Sequence, residues 1–132
     1  NLAIPFPVVG QNTVLVSTNE AILKQNQHTW SPNKEFYLSM QEDGNLVLYT
    51  KDDKAVWASG TYRKGKAPYT AIMQKDNNFV IYDSFKRALW ETKTYNKGQA
   101  GGYLAIQNDG HLGVYDGTDE LLWTSEFDTP LF

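Results

Sequence analysis

An all-β fold with internal threefold repetition is what the sequence predicts, on three observations. The phrase "QEDGNLVLY" at 41–49 returns as "QKDNNFVIY" at 74–82 and, altered, as "QNDGHLGVY" at 107–115, a period of 33 residues with no insertion or deletion. Around each phrase apolar and polar residues alternate with period 2, enriched in aromatic and β-branched types and punctuated by Gly, Asp and Asn. No stretch of about 10 residues or more keeps a helical period of 3.6.

The elements follow in chain order. Residues 1–35 hold no copy of the phrase and are expected to add strands to the repeats. The first unit, 36–68, opens on the strand "FYLSMQ", turns, and returns as "NLVLY". It then crosses the polar loop "TKDDKA" to the short apolar strand "VWAS". Units 69–101 and 102–132 repeat this plan, the last cut short by the C-terminus, and place Trp57, Trp90 and Trp123 at equivalent positions. A chain of 132 residues is one domain by length.

Loop length decides which side chains share a face. A two-residue Asp43-Gly44 loop would bring Gln41 near Leu46 and mix polar with apolar positions. A three-residue loop, Glu42 to Gly44, sets Gln41 opposite Asn45, Met40 opposite Leu46, Leu38 opposite Leu48 and Tyr37 opposite Tyr49. The longer loop separates the faces and puts Gly44, Asn77 and Gly110 where a left-handed residue closes the turn. Met40/Leu46, Met73/Phe79 and Ile106/Leu112 then face the core, with the three Trp nearby. The other face carries Gln41, Asp43, Asn45, Val47 and Tyr49 in the first unit, and Gln74, Asp76, Asn78, Val80 and Tyr82 in the second.

Composition excludes several classes of function. The net charge is −3 and no Lys/Arg cluster is long enough to follow a phosphate backbone, so no nucleic-acid partner is expected. Without Cys there is no disulfide, thiol nucleophile or thiolate metal site. No apolar run approaches the roughly 18 residues of a membrane span. The two His, His28 and His111, sit in no recognisable triad sequence, and Asp52-Asp53 lies between Lys51 and Lys54 as a solvated turn. No enzyme, metal or cofactor is therefore expected. Asn1 in place of Met reads as a processed or trimmed start, and the compartment stays open, with secretion favoured over the cytoplasm.

Asp, Asn and Gly are ordinary turn residues, so their recurrence alone needs no function. A turn does not need Gln two residues before the Asp, nor Tyr six residues after it. Carboxylate, amides and phenol together donate to and accept from hydroxyls, and a pyranose presents adjacent hydroxyls of that double character. The carboxylate makes the stronger, charge-assisted bond, and Val47 or Val80 would lie against ring C–H groups. Each strip suits a shallow monosaccharide site.

Gln-x-Asp-x-Asn-x-Val-x-Tyr, twice intact and followed by "VWAS", resembles the signature of the bulb-type, monocot mannose-binding lectins, over roughly residues 10–132. The resemblance implies a β-prism II of three antiparallel four-stranded sheets around a pseudo-threefold axis. It implies that Gln41, Asp43, Asn45 and Tyr49 hold the 2-, 3- and 4-hydroxyls of α-mannose with Val47 as the apolar contact. Gln74, Asp76, Asn78, Tyr82 and Val80 would do the same in the second sheet. In the third strip Gln107, Asp109 and Tyr115 remain, but His111 replaces Asn and Gly113 replaces Val, so that strip is expected to be degenerate. Mannose-containing glycans or glycoproteins are the implied partners. A homodimer by exchange of C-terminal strands is also implied, with Leu131-Phe132 docking on the partner; a tail folded back onto its own first sheet is the alternative. Plant members commonly carry Cys where Gly44 stands, so its absence points to a non-plant or divergent member.

Three other readings bear on this, one of them a lectin whose task is toxic or defensive and for which sugar binding is only the first step. A β-trefoil has longer units and a Gln-x-Trp motif that is absent here. A member of the same fold acting through protein contacts would have degraded strips, and the first two are intact. The loops "TYRKGK" at 61–66 and "TYNKGQ" at 94–99 also recur, either as solvated connections or as extensions of the sites.

Overall fold

The computed structural model describes residues 13–128, and the short turns set its architecture. Each repeated phrase folds as a hairpin in the register of the three-residue loop: Tyr37 pairs Tyr49, Leu38 pairs Leu48 and Met40 pairs Leu46. The amide of Gln41 donates to the Asn45 carbonyl at 3.0 Å, and Gly44 N donates back to the Gln41 carbonyl at 3.0 Å. Gly44, Asn77 and Gly110 close the three loops with φ of 91°, 71° and 87°. Asn77 tolerates this because its buried side chain is fully engaged: Nδ2 donates to the Lys97 and Gln99 carbonyls at 3.0 and 2.8 Å, and Oδ1 accepts from Gly102 N at 2.9 Å.

Twelve strands result: β1 Thr13–Val16, β2 Ile22–Lys24, β3 His28–Trp30, β4 Phe36–Met40, β5 Leu46–Thr50, β6 Ala55–Ala58, β7 Thr70–Met73, β8 Phe79–Tyr82, β9 Ala88–Glu91, β10 Tyr103–Ile106, β11 Leu112–Tyr115 and β12 Leu121–Thr124. They form three four-stranded sheets in the orders β3-β4-β5-β6, β2-β7-β8-β9 and β1-β10-β11-β12, and every pairing is antiparallel. This is a β-prism. Each repeat supplies three consecutive strands, and residues 13–30 deal out the fourth in reverse order, β1 to the third sheet and β3 to the first. The fourth strand of the first sheet is β3. Leu131-Phe132, with the strand exchange expected of it, lies outside the described residues, as does the part of the N-terminal expectation that falls on 1–12.

The inner faces meet on the pseudo-threefold axis. Leu38, Met40, Leu46 and Leu48 of the first sheet, with their counterparts from Met73 to Val114, are buried in one cluster. Trp57, Trp90 and Trp123 meet edge to face, with centroids 5.5, 5.8 and 5.6 Å apart. In each sheet the pairing of the last two strands slips at the same place, so Leu48 faces Trp57 but Tyr49 faces Ala55. That bulge turns the Trp inward while the Tyr stays on the outer face.

Two carboxylates tie neighbouring repeats together. Asp83 accepts from Lys66 N at 3.2 Å and Asp116 from Gln99 N at 3.0 Å, so the second and third sheets each receive the loop of the preceding repeat. Burial raises both carboxyls, but hydrogen bonds outweigh it: from Arg87, Lys66 and Phe85 on Asp83, and from Gln99, Glu120 and Thr118 on Asp116. Both are held down to about 2. A depressed folded value stabilises the protein above the ordinary carboxylate pKa and loses that stability as pH falls through the folded value. Urea midpoints should therefore hold steady down to about pH 4 and fall between about pH 4 and 2. The D83N/D116N protein should be weaker at neutral pH and lose less over that window; an equal acid loss in both proteins would show that other groups carry it.

Candidate functional site

The predicted strip residues of each repeat stand together on the outer face of one hairpin, but they do not form an open surface. Gln41 follows β4, Asp43 sits in the turn, Asn45 follows it, and Val47 and Tyr49 alternate along β5. Val47 and Val80 are only 4% and 3% exposed, so the methyls form a floor rather than a wall. Asn45 and Asn78 are buried as well, while Gln41, Asp43 and Tyr49 are half-buried around them.

In the first strip the phenol of Tyr49 donates to Gln41 Oε1, and Gln41 Nε2 donates to both Asp43 carboxylate oxygens at 3.2 Å. The reversed amide would set a carbonyl against a carboxylate. Asp43 Oδ1 also accepts from Asn45 N at 2.9 Å, so one carboxylate shapes the turn and serves the strip. Asn45 Oδ1 accepts from Ser59 Oγ, Gly60 N and Thr61 N at 3.2, 3.1 and 3.2 Å. Thr61 Oγ1 donates to the Gly44 carbonyl at 2.6 Å, and Arg63 N to the Asp43 carbonyl at 2.6 Å. The loop after β6 thereby clamps the turn and fixes the Asn45 amide by its oxygen, leaving Nδ2 without a protein partner among the described residues.

The second strip repeats this network: Tyr82 to Gln74, Gln74 Nε2 to Asp76 at 3.2 Å, Asp76 Oδ1 to Asn78 N at 2.9 Å, and Thr92 and Thr94 on Asn78 Oδ1 at 3.2 and 3.1 Å. It differs in two contacts: among the described residues Asn78 Oδ1 has no donor matching Gly60 N, and the side-chain nitrogen has a partner. Asn78 Nδ2 donates to Glu91 Oε1 at 2.9 Å.

The third strip is built differently. Gln107 Nε2 donates to the Tyr115 hydroxyl at 2.6 Å, and Asp109 faces His111 Nδ1 at 3.5 Å. The Tyr115 ring lies over Gly113 so closely that a Cβ there would come within 2.7 Å of Cε1. Stacked on Tyr103 at 5.5 Å and 5% exposed, Tyr115 occupies the floor that Val holds elsewhere, and burial pushes its phenol pKa up.

Beside the first strip stands an aromatic wall. Tyr37 stacks on Tyr49 at 5.1 Å and meets Trp30 at 4.7 Å, and its hydroxyl donates to Asp53 at 2.5 Å. Burial and the Asp53 carboxylate push Tyr37 up to about 12. The recurring loops serve the turns through backbone N–H groups and the Thr61 and Thr94 hydroxyls, and their Tyr62 and Tyr95 stand in solvent at 53% and 63% exposure. Residues the motif did not reveal are Ser59 and Thr61, Thr92 and Thr94, and Glu91. The first four carry a legible signal, hydroxyls two apart at the same 33-residue period. No group of three His, Cys, Asp or Glu able to hold a metal occurs among the described residues, and no helix there is long and apolar enough to cross a membrane.

Three hairpin sheets about a tryptophan axis, each with an amide–carboxylate–phenol strip on its outer face, define a carbohydrate-binding lectin fold. Comparison with solved structures agrees. Monomeric monocot mannose-binding lectins from Gastrodia elata match with 33% identity and a TM-score of 0.74, over 88% of this chain and 98% of theirs. A Polygonatum cyrtonema lectin complexed with monomannoside matches at 30% identity and TM-score 0.69, over 83% and 92%. The mannose-specific agglutinin of snowdrop, Galanthus nivalis, complexed with methyl-alpha-D-mannoside, matches at 28% and 0.68, over 88% and 97%. The chain belongs to the monocot mannose-binding, bulb-type lectin family. No protein-family model matches it, and no curated protein does.

Proposed function

We propose that this protein is a metal-independent lectin for α-mannose and mannose-terminated glycans, with two working sites, at Gln41–Tyr49 and Gln74–Tyr82, and a third strip that is closed. The reading rests on one observation: in the first two strips the carboxylate is held by the Gln amide and a backbone N–H, and the Asn amide by Ser or Thr hydroxyls, while both keep hydrogen-bonding capacity for a ligand. Asp43 and Asn45, and likewise Asp76 and Asn78, read the axial 2-hydroxyl that separates mannose from glucose. Gln and Tyr hold the remaining hydroxyls, and the Val floor meets ring C–H groups. Solved relatives that carry mannosides support the choice of sugar. Single sites this shallow should bind with Kd on the order of millimolar, about −4 kcal/mol, and useful affinity then comes from two sites engaging one glycan.

Calorimetric titration with methyl α-mannoside beside methyl α-glucoside tests this. The expected result is a stoichiometry near two per chain and selectivity for the mannoside. Folded protein that gives no heat with either sugar would remove the proposal.

A further inference from the structure

Carrying the same motif, the first two strips differ at the residue across the sheet from the floor. Val47 pairs with Ala58, Val80 with Glu91 and Gly113 with Thr124. Paired residues share a face, so Glu91 stands beside Val80 on the outer face of the second sheet. Its Oε1 takes the Asn78 amide at 2.9 Å, and it is exposed.

We propose that Glu91 gives the second strip a ligand preference of its own, for a sugar bearing an ammonium group at C2. This rests on the mannose reading above, which places C2 between the Asp and the Asn. The first strip offers an incoming 2-substituent one carboxylate, Asp43, and an Asn45 Nδ2 with no protein partner among the described residues. A hydroxyl, which both donates and accepts, suits that pair. In the second strip one side-chain N–H of Asn78 is spent on Glu91, and the balance shifts toward acceptors: Asp76 takes the backbone N–H of Asn78 and Glu91 its Nδ2. Neither carboxylate forms an ion pair among the described residues. An ammonium has three donors and no acceptor, so it loses less where a donor has been withdrawn and gains a second carboxylate. The third strip has Thr124 at this place and a closed floor, so it does not share the preference.

Single-site proteins make the test. D43N leaves the second strip intact and D76N the first, each Asn keeping the turn-forming oxygen. Both are titrated with methyl α-mannoside and with its 2-amino-2-deoxy analogue at a pH of about 6, where the amine is protonated. The affinity ratio of amino to hydroxy sugar should be about threefold higher for the D43N protein, as suits one exposed charge pair. Adding Glu91→Gln, which keeps an oxygen for the Asn78 amide, should return the ratio to that of the first strip. Equal ratios in two proteins that both bind the mannoside would overturn the assignment to Glu91 and leave the mannose reading standing. Proteins that bind neither sugar would overturn both.

Discussion

Replacing Trp57 with alanine should cost about 3–5 kcal/mol, the range for removing a buried tryptophan, and lower the melting temperature by about 10–20 °C. Trp57 is 2% exposed and meets both other axial indoles edge to face, with rings at 65° and 73°. Its Nε1 also donates to Asp128 at 3.3 Å. Each sheet here has only four short strands and buries one face, so the sheets gain independent stability only by closing on one another. The indoles are where all three close. Removing one ring deletes two aromatic contacts of about 0.5–1.5 kcal/mol each and leaves a cavity bordered by all three sheets. Thermal unfolding followed by circular dichroism measures the effect. A drop of about 3 °C or less would mean that the flanking Leu and Met residues lock the prism without the tryptophans.

Much of this architecture was legible because the repeat makes three independent statements of one rule. One hairpin sequence leaves two loop lengths open; three copies with Met40/Leu46, Met73/Phe79 and Ile106/Leu112 on one face select the register that is observed. What stayed hidden depends on contacts between segments. Strands β1, β2 and β3 are three or four residues long, too short to show a period, and their reverse distribution follows from which sheet edge each can reach. The loss of Asn and Val in the third strip could be read from His111 and Gly113. That Tyr115 fills the floor could not, since Gly113 announces open space but not which side chain folds over it. The burial of Val47 and Val80 was likewise missed, because period 2 assigns a face and not a depth. Glu91 escaped because it lies outside the phrase, in a strand whose equivalent position holds Ala58 in the first unit and Thr124 in the third.

The double substitution Asp43→Asn with Asp76→Asn should abolish mannoside binding while leaving the fold intact. Asn keeps the side-chain oxygen that accepts from the backbone amide two residues on, so the turn survives. What disappears is the charge. A hydrogen bond to a charged group is worth about 1.5–3 kcal/mol, so its loss weakens each site by roughly 10- to 150-fold. Sites that begin near millimolar then fall below any concentration at which a titration yields heat. The damage also reaches Gln41 and Gln74, whose Nε2 atoms lose the carboxylates that fix their amides against Tyr49 and Tyr82. Either single substitution should halve the stoichiometry and leave the other site's affinity within a factor of two, because the strips lie on different sheets and share no residue. A stoichiometry unchanged by D43N would remove the first strip from the proposed function. Full binding by the double variant would move the search for the sugar to a different face of the prism.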